Sequence, residues 1–169
     1  GPMLGFTGTL AAMLMVENGI PIFAACLIGI FAATLFGLFN GLSITATNMP
    51  PLISTLGMSY VIKAAAYLIH GGMPVYSLPK EMQTLGQGYV GPIPIPVIIF
   101  VVIALIGAFV LKRTSYGRGV FAIGSNQEAS RLSGLNVKRI QVAVYTVAGF
   151  LAGLGGIIMM SRLNAGQPG

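Results

Sequence analysis

The chain has very little charge, and what it lacks narrows its function before any motif is read. Three acidic residues in 169, Glu17, Glu81 and Glu128, all fall in loops or turns of the apolar pattern, and none sits inside an apolar run. Proton- and sodium-coupled carriers commonly hold their ion with intramembrane carboxylates, so an ion-coupled carrier is disfavoured. The single cysteine, Cys26, cannot build an intrachain disulfide framework. With one histidine, His70, far from it in sequence, no Cys/His cluster, metal site or Ser-His-Asp set is available. A Gly-x-x-x-x-Gly-Lys-Ser/Thr phosphate loop is also missing: residues 117–124 (GRGVFAIG) have glycines but no Lys or hydroxyl for phosphate and metal. If ATP powers the protein, another subunit binds it. No catalytic residue, cofactor or metal is expected, and the chain is not read as an enzyme.

What is present is apolar sequence. Hydrophobic residues make up 55% of the chain and charged ones 7%, against about 25% charged in soluble domains, which implies an all-α polytopic membrane protein. Apolar runs cover residues 3–16, 20–46, 52–70, 97–111 and 140–161. The first is shorter than the roughly 20 residues a helix needs to cross a bilayer, so about five spans are expected, the first partial. Asn48, Pro50 and Pro51 should break the second run from the third. Residues 79–85 suit a short helix, and the proline-dense GPIPIP at 91–96 an extended lead into the next span. No charged n-region precedes the first run, so no signal peptide is readable. The chain is expected to be a single transmembrane domain over 1–169, incomplete at both ends, with Gly1 and Pro2 native or a tag remnant.

Six of the nine basic residues, Lys112, Arg113, Arg118, Arg131, Lys138 and Arg139, cluster in the polar island 112–139. By the positive-inside rule that island is cytoplasmic. Counting back, the 71–96 loop lies outside, the Pro50 turn inside and the Glu17 turn outside. The basic residues border apolar spans without an aromatic-plus-basic surface, so topology accounts for the +6 net charge and no nucleic-acid partner is expected. Within the island, Ser125 and Glu128 have capping-box spacing. Gly134 can end a helix in the left-handed conformation, with Leu135 as the apolar contact of a Schellman motif. A helix over 126–133 is predicted, too short to stand alone and able to dock the edge carrying Ala129 and Leu132.

Small residues recur every fourth position at Ala25, Gly29, Ala33, Gly37 and Gly41, and again at Gly149 and Gly153. Such stripes let membrane helices approach backbone to backbone, and packing is their expected role. Polar groups inside the runs stand apart from this pattern. Asn40 needs hydrogen-bond partners in a neighbouring helix or a watered path, and Ser54, Thr55 and Ser59 can bond backbone carbonyls. Lys63, twelve residues beyond Pro51, either snorkels to the interface or faces water. Asn40, Thr55 and Lys63 are the pathway candidates. His70 is expected at the interface or as a cap.

The run 117–158, GRGVFAIGSNQEASRLSGLNVKRIQVAVYTVAGFLAGLGGII, resembles the permease subunits of bacterial ABC importers for monosaccharides such as ribose, xylose and arabinose. Glu128, Ala129 and Ser130, followed after three residues by Gly134, are similar to the Glu-Ala-Ala-x-x-x-Gly loop by which such permeases grip their ATPase, with Ser130 in place of the second Ala. LFNGL at 38–42 and PLISTLG at 51–57 are also similar to family segments. The resemblance implies a multi-pass permease of the bacterial inner membrane, embedded in lipid, working as a homodimer. It also implies an ABC ATPase as partner and a periplasmic sugar-binding protein on the outer loops. ATPase coupling then falls to Ser125, Glu128, Ala129, Ser130, Arg131 and Gly134. A passive channel or facilitator for small polar solutes is the alternative; it has no need of a capped cytoplasmic helix.

Overall fold

A computed structural model describes residues 1–47 and 49–168; Asn48, one of the expected helix breakers, lies outside them. Among the described residues the regular structure is α-helical apart from one minimal hairpin and an isolated bridge between Val75 and Gly166. In order it forms α1 (Pro2–Val16), α2 (Ile22–Thr47), α3 (Pro51–His70), α4 (Lys80–Gln87), β1 (Tyr89–Val90), β2 (Ile93–Pro94), α5 (Ile95–Arg113), α6 (Ser115–Ser125), α7 (Gln127–Leu132) and α8 (Val137–Leu163). Among the described residues, α2, α3, α5 and α8 are long and apolar enough to span a membrane, and α1 is a shorter apolar helix. This is the all-α polytopic architecture the composition implies.

Prolines open two of the spans: Pro51 starts α3, and Pro94 precedes α5, whose first turn holds Pro96. Proline suits these positions because its missing N–H would have no partner there. The 91–96 stretch therefore differs from the expected extended lead: Gly91 turns a two-residue antiparallel pairing of β1 with β2, and α5 has already begun at Ile95.

Two small-residue stripes meet where α2 packs on α8. All five stripe positions of α2, Ala25, Gly29, Ala33, Gly37 and Gly41, are buried. A Cβ added at Gly37 would lie 2.9 Å from Gly149 Cα and collide with the Tyr145 carbonyl, and one at Gly41 would lie 2.9 Å from Val142 Cα. Further along, a Cβ added at Gly153 would lie 3.1 Å from Ile30 Cα. Gly29 contacts α1 instead, its virtual Cβ 3.3 Å from Thr7. The short α1 wedges against α2, α3 and α8, and Gly156 of α8 admits Leu4, with 2.7 Å from a virtual Cβ to its carbonyl oxygen. Lipid gives apolar helices no hydrophobic reason to associate, so this contact area is what holds the bundle together. Most hydroxyls in it are satisfied within their own helix: Thr7 donates to the Met3 carbonyl at 2.8 Å, Thr34 to Ile30 at 2.8 Å and Thr45 to Gly41 at 2.9 Å. By contrast α5 buries no residue.

The two ends of the bundle sort as the sequence-derived topology requires. At one end His70 Nε2 lies 2.8 Å from Glu17 Oε1, joining the α1–α2 turn to the end of α3, and Nδ1 lies 2.9 Å from the Met73 carbonyl. His70 thus ends α3 and ties that end to the α1–α2 turn. The same end is closed by Val75 and Gly166, which exchange backbone hydrogen bonds at 2.9 Å, and by α4 lying on α8. At the other end Pro50 and Pro51 share a cavity with Gln127, Glu128 and Lys138. Cysteines placed at Gln127 and at Ser77 are therefore expected to label from opposite sides of an intact membrane, Gln127 only with reagents that reach the cytoplasm. Labelling of both from one side would overturn the topology.

Candidate functional site

Residues 112–139 fold into two consecutive helices and a closing turn. Thr114 makes the corner after α5: its hydroxyl donates to the Val110 carbonyl at 2.6 Å and accepts the Gly117 N–H at 3.2 Å. Gly117 allows the chain to double back, since a Cβ there would stand 2.5 Å from Leu111 Cα. The resulting α6 was not expected from the sequence.

The second helix is close to the predicted 126–133, but its start is built differently. Ser125 is the last residue of α6 and its hydroxyl donates to the Phe121 carbonyl at 3.0 Å. The cap of α7 is Asn126, whose Oδ1 accepts the Ala129 N–H at 2.9 Å. Glu128 does not reach back to Ser125, so the capping box is not formed. Its carboxylate instead takes two hydrogen bonds from Arg131, at 2.6 and 3.1 Å. That guanidinium holds the Glu128 carboxyl below the usual carboxylate range. The pair therefore persists at neutral pH and weakens only in acid, as the carboxylate protonates.

The end of α7 is a complete Schellman motif. Gly134 sits at φ +83°, its N–H donating to the Arg131 carbonyl at 3.1 Å, while the Leu135 N–H donates to Ser130 at 3.1 Å. The docked side differs from expectation. Ser130 is the buried residue of α7, its hydroxyl on the Asn126 carbonyl at 2.8 Å, whereas Ala129 is exposed and Leu132 is 76% exposed. A small residue at 130 lets α7 sit close to the bundle, which turns the Ala129 and Leu132 edge outward. Between α7, the Pro50 turn and the start of α8 lies a cavity of about 390 Å³, lined in part by Thr45, Gln127, Glu128, Arg131 and Lys138.

The polar groups inside the spans separate into two places. Asn40, 9% exposed, accepts a hydrogen bond from the Ser54 hydroxyl at 3.1 Å, linking α2 to α3. Ser54 therefore bonds a side chain rather than the backbone carbonyl expected of it. Asn40 also lines a small cavity of about 120 Å³ with Thr55 and Ser59. Thr55 itself donates to the Leu52 carbonyl at 3.1 Å. Lys63 is exposed and borders a different cavity, about 290 Å³, beside Gly8, Gly156 and Gln167. Among the described residues no carboxylate pairs with it.

The seating of α4 is a second feature, after α6, that the sequence did not reveal. Against the end of α8, Ser161 donates to the Met82 carbonyl, Gln87 Nε2 donates to Arg162 at 3.0 Å, and Gly86 presses on the Ser161 backbone with 2.7 Å to a virtual Cβ. Together these seat α4 as a cover over that end. The small Gly86 is its one sequence signal, and that is legible only once its partner helix is known.

Residues 3–169 match the family described as branched-chain amino acid transport system / permease component. The chain belongs to that permease family. Similar relatives of the permease include the ribose import permease protein of Bacillus subtilis, 39% identical over 99% of this chain and 52% of the relative. The D-allose transport system permease protein of Escherichia coli is 31% identical over 99% of this chain and 52% of its own length. The L-arabinose transport system permease protein of the same species is 33% identical over 76% and 39%. The permease chain thus spans about half the length of the ribose and allose relatives. No solved structure matches it. Family membership and the apolar helices make it a multi-pass inner-membrane transport component.

Proposed function

We propose that this chain is the membrane-spanning part of an ATP-driven sugar importer. It forms part of the translocation path as a permease homodimer and meets a separate ATPase through the 112–139 loop. The observation that carries this reading is α7, a helix capped at Asn126 and closed at Gly134 that presents Ala129 and Leu132 to solvent at the end of the bundle that holds the basic loop. A lone exposed leucine is ordinary; one on a short helix fixed at both ends, in the stretch that resembles an ATPase-gripping loop, suits insertion into a partner. Ser130 seats the helix, and the Glu128–Arg131 pair stiffens it. The sugar relatives favour a monosaccharide over an amino acid, although the family takes its description from the latter. The outer end, covered by α4, suits docking of a periplasmic sugar-binding protein. Asn40, Thr55 and Lys63 remain the path candidates, with Asn40 and Thr55 on one cavity.

The test is uptake of labelled ribose, allose and arabinose by cells carrying the complete transporter. One sugar is expected to accumulate against its gradient, and inactivating the ATPase should abolish that accumulation. Equilibration of sugar that persists without ATP would instead establish the passive facilitator.

A further inference from the structure

At the end of the bundle opposite the basic loop, the ring of His70 joins the end of α3 to the turn that follows it and to the α1–α2 turn. Its Nε2 lies 2.8 Å from Glu17 Oε1, and its Nδ1 lies 2.9 Å from the Met73 carbonyl oxygen. The Met73 N–H in return donates to the His70 carbonyl at 3.2 Å, and the chain between them turns through Gly71 and Gly72 at φ +62° and +78°. Just beyond, Val75 is fastened to Gly166. The segment leading to α4 is thus tied at its start by the ring and further along by a backbone bridge. Both partners of the ring are acceptors, since a carboxylate and a carbonyl have no proton to give. A neutral imidazole carries one N–H and satisfies one of them; only the imidazolium donates to both. A protonated Glu17 donating to a neutral ring also closes both contacts, and it needs the same extra proton on the pair.

We propose that His70, Glu17 and Met73 form a proton-dependent clamp, closed when the pair carries its extra proton and open at Met73 or at Glu17 when it does not. Glu17 is the charged group facing the ring. The helices packed on α3, α1 and α2, bring no charged residue of their own, and Cys26 is their one titratable group. Among the described residues, Lys63 and Tyr67 of α3 and Tyr76, Lys80 and Glu81 beyond Met73 make no ion pair or hydrogen bond with the ring. The His70 and Glu17 side chains are 27% and 41% exposed, so solvent reaches the proton. The closed clamp binds one more proton than the open one, so its contribution is present in acid and lost as pH rises past the ordinary histidine value of about 6.5. An exposed pair is worth little to the bundle as a whole, which confines the effect to the turns it joins. The topology read from the sequence puts this end outside, where the medium sets the pH. The clamp is independent of what the protein transports.

The test is amide hydrogen exchange of the complete transporter in lipid nanodiscs at about pH 5.5 and about pH 8, either side of the ordinary histidine value, with each rate divided by that of the unstructured peptide at the same pH. Peptides covering residues 16–20 and 70–75 are expected to exchange on the order of threefold faster, on that scale, at the higher pH. His70→Gln cannot take up the proton and should show the same relative rate at both pH values. Glu17→Gln should shrink the step, because a neutral amide holds the imidazolium less well than a carboxylate. Peptides from α2 and α8 report the stability of the whole bundle and should not change. The clamp is overturned by the absence of a step in the unsubstituted protein, by an equal step in His70→Gln, by a full-sized step in Glu17→Gln, or by a step of the same size throughout α2 and α8.

Discussion

Gly37→Leu is expected to prevent stable assembly of the bundle, seen as loss of the monodisperse folded species in detergent and a collapse of its thermal transition. The backbones of α2 and α8 touch at Gly37 and Gly149, with 2.9 Å from a virtual Cβ to the opposite Cα. Three further carbons have no space to enter, and the contact that must open to admit them is the main one holding the two longest helices together. Overpacking typically costs about 1–3 kcal/mol where neighbours can shift. Here the neighbour is backbone, so the cost should reach or exceed that range. Gly149→Leu should act alike, being the same contact seen from the other helix. Phe31→Leu is the matched control, since Phe31 is 64% exposed on the lipid side of α2. Phe36 is unsuitable, because its ring stands edge-on to Phe6 with centroids 5.1 Å apart. Equal stability of Gly37→Leu and Phe31→Leu would remove the close-packing account.

In the complete transporter, Asn126→Ala and Gly134→Val are expected to leave the membrane bundle folded yet abolish both retention of the ATPase and sugar uptake. Loss of an N-terminal cap costs about 0.5–2 kcal/mol. A β-branched residue in the left-handed region costs about 1–3 kcal/mol. Either sum is small for the glycine-packed bundle but large for α7, whose six residues cannot form a stable helix alone. Gly134→Ala should be milder than Gly134→Val, because the left-handed backbone at φ +83° tolerates β-branching least. Glu128→Ala, which removes an exposed pair with Arg131, should weaken coupling less than either severe variant. The readouts are co-purification of the ATPase and uptake, measured on protein that passes the folding assay. If both severe variants keep the partner and wild-type uptake, the coupling role of α7 is wrong, and topology is enough to explain the basic residues of the loop.

The apolar runs, their breaks and the clustered cations determined the helical membrane architecture and which turns share an end. Those follow from local rules: backbone in lipid must close its own hydrogen bonds, proline restricts its neighbours, and positive charge stays inside. The spacing of Ala25, Gly29, Ala33, Gly37 and Gly41 likewise identified a packing face, and Gly134 with Leu135 identified the end of α7. Neither pattern could name its partner. That Gly37 meets Gly149 while Gly29 meets Thr7 depends on how three helices cross, which no single helix encodes. The start of α7 shows the same limit at short range. Ser125 and Asn126 are both good caps, and the choice fell to Asn126 because α6 extends through Ser125 and engages its hydroxyl. Helix α6 itself was hidden, since Gly117, Gly119 and Gly124 weaken its intrinsic propensity and its stability comes from contact with α5 and α8. The links Ser54–Asn40, His70–Glu17, Val75–Gly166 and Ser161–Met82 are contacts between segments distant in the chain. Local propensity carries no information about such contacts, so only the tertiary structure decided them.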